Sequence, residues 1–140
     1  MADERLSDDE IVYRRILKKD VKQNRIPRNQ FKLRSNEEGI SVNRAALITR
    51  TNVIAKGNSS FEYLLAQATI GDIRQLLADD GTHLRLDVIP THTDEDPSHA
   101  EIRGPVIGTL PEGAPLPLAR LIQVEFPVAI DDGVKGHSWP

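Results

Sequence analysis

The residues best able to do chemistry are concentrated between Leu84 and Gly104, in LRLDVIPTHTDEDPSHAEIRG. His92, Asp94, Glu95, Asp96, His99 and Glu101 fall within ten positions of one another there. Imidazole and carboxylate donors together suit zinc, manganese or iron, so the series His92-x-Asp94-x-Asp96-x-x-His99 defines a candidate metal turn. Its spacing matches no standard motif, including the calcium loop of EF-hands, and a solvated acidic turn is the simpler reading; no metal and no cofactor are assigned. His99 is the natural acid or base, with Asp96, Glu101 or Asp87 expected to orient it. Ser41, Ser98 and Ser138 are available hydroxyls, none of them in a G-x-S-x-G frame. The bland alternative for His99 is a histidine that ties its turn to backbone carbonyls.

A second concentration is one of charge. The chain carries a net −3, but residues 1–50 sum to +4 and residues 51–140 to −7. Within 11–35, nine basic residues face a single acid, Asp20. Such a face recognises phosphates, an acidic partner or the chain's own acidic half. Arg14, Arg15, Arg34 and Arg44 are the expected ligand-binding residues, because guanidinium groups grip anions in bidentate fashion. Tyr13 and Phe31 are available to stack on bases, which keeps nucleic acid in view. No helix-turn-helix, RNA-recognition or zinc-finger pattern accompanies them, and an acidic chain disfavours long polyanions. No G-x-G-x-x-G or G-x-x-x-x-G-K-[ST] loop occurs.

These groups need elements to position them. Ser7-Asp8-Asp9-Glu10 reads as a capping box, so a helix is expected over about 8–18, with a strand through Ile11–Ile16 as the rival. Phe31 and Leu33 alternate with basic residues as a short strand, and Ile40-Ser41-Val42 as another. Asn43 or Thr51 is expected to cap a helical turn that stops at Gly57. Phe61–Ala68 reads as a strand apolar on both faces. Thr69 then caps a helix through Ile70, Ile73, Leu76 and Leu77 that ends before Gly81. Leu84–Ile89 and His99–Arg103 form a hairpin around the acidic turn. Leu118–Phe126 fits a helix stopped by Pro127, with a strand as alternative.

The fold class that follows is α+β: a small, mostly antiparallel sheet with two or three short helices. One domain is expected over 1–130, with 131–140 as a flexible tail. Its core should contain Ile16, Phe31, Ile40, Val42, Leu64, Ala66, Ile73, Leu76, Leu86, Val88, Ile102 and Leu121. With no cysteine there is no disulfide, thiolate metal site or cysteine nucleophile. No apolar run approaches about 18 residues and the N-terminus is acidic, so a cytoplasmic protein without a membrane partner is expected.

Tyr13-Arg14-Arg15-Ile16, Gly39-Ile40-Ser41-Val42-Asn43-Arg44-Ala45, Gly71-Asp72-Ile73-Arg74 and Asp96-Pro97-Ser98-His99-Ala100-Glu101-Ile102-Arg103-Gly104 together resemble a family of small bacterial proteins. Its members share a YRRI-type opening, a central L-S-V-x-R-A and a late D-P-x-H-A-x-I-x-G; Ile40 stands here in place of the leucine. The resemblance spans roughly residues 11–108 and implies a bacterial origin but no catalytic residue. Arg14 or Arg15, Ser41 and Asp96-Pro97-Ser98-His99 are also similar to the ADP-ribosyltransferase-like toxins of the RES type; the chain departs from that pattern at the catalytic glutamate, for which Glu62 and Glu101 are the positional candidates and neither matches the motif.

Two functions are therefore carried forward. The first is a non-enzymatic module that recognises a protein partner or an anionic ligand through its basic N-terminal face. The second is an enzyme on a nucleotide-type substrate, ADP-ribosyltransferase-like or hydrolytic, using Arg14 or Arg15, Ser41 and His99. The enzyme requires Arg15, Ser41 and His99 to meet in one cleft; the module does not.

Overall fold

The computed structural model describes residues 5–22, 25–33, 37–57, 60–106, 108–124 and 134–135. Five strands of four residues or more build an antiparallel sheet: β1 (Ile11–Leu17), β2 (Ile40–Arg44), β3 (Glu62–Thr69), β4 (Asp87–Pro90) and β5 (His99–Arg103). Two short strands, β6 (Gln123–Val124) and β7 (Val134–Lys135), add to β3. The spatial order is β4-β5-β2-β1-β3-β6. Helices α1 (Arg50–Ala55), α2 (Ile70–Arg74) and α3 (Pro115–Leu121) complete a single α+β domain, the class expected.

The first element corrects the sequence reading, because residues 11–17 form a strand and not a helix. Val12 and Ile16 are buried, a spacing that both periods satisfy; Tyr13 breaks only the helical one. The β-branched Ile11, Val12 and Ile16 favour the extended chain, and pairing on both sides makes it the central strand. The residues of the capping box make a turn instead, in which the Ser7 carbonyl accepts from the Glu10 amide. The Glu10 carboxylate is then free to take the Arg44 guanidinium at 2.7 Å.

The expected Phe31–Leu33 strand is likewise absent. Pro27 opens a 3₁₀ turn, Arg28–Phe31, that delivers the fully buried Phe31 to the core. Thr49, rather than Asn43 or Thr51, caps α1 by accepting from the Asn52 amide at 3.2 Å. Thr69 caps α2 as expected, but that helix ends at Arg74, so Leu77 pairs with His83 and stays half exposed. Arg85, in the left-handed region at φ +57°, delays β4 to Asp87 although Leu84 and Leu86 are already buried. The last helix starts earlier than expected, at Pro115, and gives way to β6 after Ile122 turns extended. Phe126 and Pro127 lie outside the described residues, as does most of the 131–140 tail.

One face of the sheet carries the main core, including Val12, Ile16, Phe31, Ile40, Val42, Leu64, Ala66 and Ile102. Of the twelve expected core residues, Leu76 and Leu121 are only partly buried and pack against it. A smaller cluster of Val53, Ile54 and Leu65, with Tyr13 and Tyr63 beside it, lies under α1. Leu64 and Leu65 belong to different clusters, so the centre of β3 is covered on both faces, as its sequence suggests.

The sheet is forked. β1 keeps its ladder to β3 from Ile11 to Leu17, and β2 keeps its ladder to β5 from Ile40 to Asn43. Between β1 and β2, however, only Val12–Arg44 and Tyr13–Asn43 are paired. Beyond that point the two strands part, and the functional groups gather in the gap.

Candidate functional site

Arg14 spans the fork. Its Nη1 donates to the Ser41 carbonyl and its Nη2 to the Gln30 carbonyl, each at 2.7 Å, so one guanidinium joins β1, β2 and the 3₁₀ turn. The same group stacks over the Phe31 ring, 5.5 Å from its centroid. A side chain thus supplies donors where the β1–β2 ladder stops, which keeps carbonyls at the parting point satisfied.

Arg15 leaves β1 on the opposite face. It donates to the Val53 carbonyl at 2.9 Å and lies over the Tyr63 ring at 5.9 Å. Burial pushes its guanidinium below the ordinary value, while Tyr63 and Asp96 pull it partway back. Arginine stays protonated at neutral pH, so this is a charge with incomplete hydration. Tyr63 is held there because Gly57 gives it room: a Cβ at Gly57 would stand 2.4 Å from Tyr63 Cε2.

Across the gap, Ser41 projects from β2 and His99 from the start of the adjacent β5; His99 pairs with Asn43, two residues along from Ser41, so the two side chains are diagonal neighbours. His99 Nε2 lies 3.2 Å from Ser41 Oγ, and its Nδ1 lies 2.6 Å from Thr91 Oγ1. The orienting partner is therefore Thr91, placed opposite His99 where the β4–β5 hairpin ends and the Thr91 amide donates to the His99 carbonyl. The expected carboxylates are occupied elsewhere: Asp87 with Arg74, Glu101 with Arg103, Asp96 with Ser98 and Lys56. Nor does the His99 ring tie its turn to carbonyls; His83, whose Nε2 meets the Arg74 carbonyl at 2.9 Å, has that role.

The acidic turn closes one end. Reciprocal backbone bonds between Thr93 and Asp96 fold it back, and Asn43 reaches from β2 to the buried Ser98 hydroxyl at 2.9 Å. Ser98 donates to Asp96, whose Oδ1 is also 3.4 Å from Lys56 Nζ at the end of α1. Burial alone would raise the Asp96 carboxyl, but the Ser98 hydroxyl, Lys56 and the field of His99 hold it below the usual carboxylate range. Glu95, exposed on the same turn, also faces the gap.

The outcome is a cleft of about 540 Å³ that Arg14, Arg15, Ser41 and His99 line together. Asn43, Lys56, Tyr63, Glu95 and Asp96 complete its walls. The volume is that of a small-molecule site. Three cationic residues face two carboxylates in it. Lys56 and Tyr63 were not legible as site residues, since α1 and the Gly57 contact bring them in from remote sequence. Diagonal placement on β1 and β3 was the one usable sign for Tyr63, because Arg15 pairs with Leu65 two residues away.

Other expected groups stand apart. Arg44 is bound to Glu10 and does not line the cleft. Arg34 and Ser138 lie outside the described residues. Ser98 is buried, so it is a link and not an accessible nucleophile. Glu62 faces Lys18 at 3.8 Å, and neither it nor Glu101 lines the cleft. The basic charges of 11–35 are divided: Arg28 and Lys32 flank a groove with Asp79 and Glu112, and Arg25 one beside Arg120. Among the described residues no three His, Asp or Glu side chains converge as metal ligands. None of the helices among them is long and apolar enough to cross a membrane. No family model, curated protein or solved structure matches this chain.

Proposed function

We propose that the forked cleft binds the phosphate of a nucleotide-type small molecule and acts on it by proton transfer at His99. The observation that carries this reading is the meeting of Arg15, Ser41 and His99 in one cleft of small-molecule size. Arg15 is poorly hydrated and already fixed by Val53 and Tyr63, so it loses little solvation or rotamer freedom on meeting an anion. Lys56 brings a second positive charge, which Asp96 holds at the cleft wall. His99 is within reach of a hydroxyl on each side and stands ready to accept or return a proton. The basic N-terminal segment contributes through Arg14 and Arg15, which makes the anion the better occupant than a protein surface. Hydrolysis is favoured over ADP-ribosyl transfer, because neither Glu62 nor Glu101 reaches the cleft.

The test is a thermal-shift titration of wild type and Arg15→Gln with pyrophosphate, ADP, ADP-ribose and NAD. A ligand that binds only the folded state raises the melting temperature by mass action. At least one of these should raise it for wild type, and Arg15→Gln should lose most of the rise. A flat wild-type response across the panel would remove the reading.

A further inference from the structure

Ser41 occupies an unusual place for a serine on a strand. It sits where β1 has peeled away from β2, so its side chain is exposed to the cleft while both flanking residues, Ile40 and Val42, are buried. Its carbonyl is pinned by Arg14 at 2.7 Å. Its hydroxyl meets His99 Nε2 at 3.2 Å, and the opposite ring nitrogen meets Thr91 at 2.6 Å. Nucleophile, base and orienting hydroxyl therefore form one continuous chain, the arrangement that activates a serine when the imidazole holds its proton on Nδ1.

We infer that Ser41 is a nucleophile, attacking a phosphodiester whose negative charge is received by Arg15. The inference rests on the anion-binding reading above. As Ser41 Oγ bonds to phosphorus, its proton passes to His99 Nε2. The P–O bond to the leaving alcohol breaks, and that alkoxide takes the proton back from His99. Water then attacks the phosphoserine diester, giving its proton to His99, and Ser41 leaves as the alcohol. Thr91 is a positioning residue: it fixes the ring tautomer without touching the substrate. Asp96 lines the same cleft, but its Oδ1 is held by Ser98 and Lys56, so the chain from Ser41 through His99 ends on the Thr91 hydroxyl and not on a carboxylate.

The experiment is covalent labelling of the full chain with a fluorophosphonate, read by intact mass and peptide mapping. Attack forms the Ser41 Oγ–phosphorus bond and releases fluoride, so the adduct persists. One adduct is expected, on Ser41, absent in Ser41→Ala. His99→Ala should slow it about 100-fold, the scale of a general base. Thr91→Val should slow it and Thr91→Ser restore it, which a merely structural threonine would not show. Melting curves of each variant identify any that fail to fold, and His99→Gln replaces His99→Ala if that one does. No adduct on Ser41, or one formed at the same rate without His99, overturns the inference. If wild type still shifts with at least one of pyrophosphate, ADP, ADP-ribose and NAD in that case, the binding reading stands alone; if it shifts with none of them, both fall.

Discussion

Ser41 Oγ and His99 Nε2, 58 residues apart in sequence, stand 3.2 Å apart across adjacent strands. Three features bring about that meeting. The β2–β5 ladder sets Ser41 beside the His99 position, Thr91 turns the ring, and the parting of β1 from β2 leaves the pair open to ligand. The same parting would expose an unsatisfied carbonyl were Arg14 not there to bind it.

Arg14→Lys should show what the fork costs to hold. A lysine cannot bridge the Ser41 and Gln30 carbonyls in the planar geometry that Arg14 uses. Chemical denaturation should report a loss of about 1.5–3 kcal/mol, the range for hydrogen bonds to a charged group. Any anion affinity should fall as well, because the cleft wall moves with Ser41. An unchanged midpoint would mean that the guanidinium is incidental to the fork.

Gly57→Ala tests the support of Arg15. The added Cβ would meet Tyr63 at 2.4 Å from Cε2 and 2.7 Å from Cζ, so the ring must shift away. Overpacking of this kind costs about 1–3 kcal/mol, and the displaced ring should loosen Arg15. A measured loss of stability with ligand affinity intact would show that Tyr63 does not position Arg15.

The Asp96 carboxylate gives a pH signature. Its folded value is depressed, so its stabilisation is complete above the unfolded carboxylate value of about 4 and is lost as pH falls through the depressed folded value. Asp96→Asn should therefore melt below wild type at neutral pH, by an amount modest for a group that remains partly exposed. The gap should narrow toward acid, since only wild type has the stabilisation to lose. Melting curves from pH 7 down into the acid range check this; a constant gap would contradict it.

Ile16→Ala probes the main core. The side chain is wholly buried on the central strand, and the loss should be about 2–5 kcal/mol by denaturant titration. Leu76→Ala should cost clearly less, because Leu76 only packs against that core from its margin.

The pattern of these residues explains what was legible in the sequence. Phe61–Ala68, Thr69 and the two strands around the acidic turn declare themselves locally, through apolar runs, a cap and turn residues. The 11–17 segment does not, because Val12 and Ile16 fit a helix or a strand, and only pairing on both sides decides. Arg15, Ser41 and His99 were visible as chemical types. Their meeting depends on the fork, an absence of pairing that no local pattern records. Nothing in the sequence singles out Thr91 from the nearby carboxylates, since hairpin register, not charge, selects the partner of His99.

The measurement closest to the central claim is an amide NMR map of the protein titrated with pyrophosphate. The account predicts perturbations centred on Arg14, Arg15, Ser41, Asn43, Lys56, Tyr63 and Glu95–His99, fading toward the Arg28 and Arg25 grooves. Saturable shifts centred on those grooves, or none at all, would contradict it.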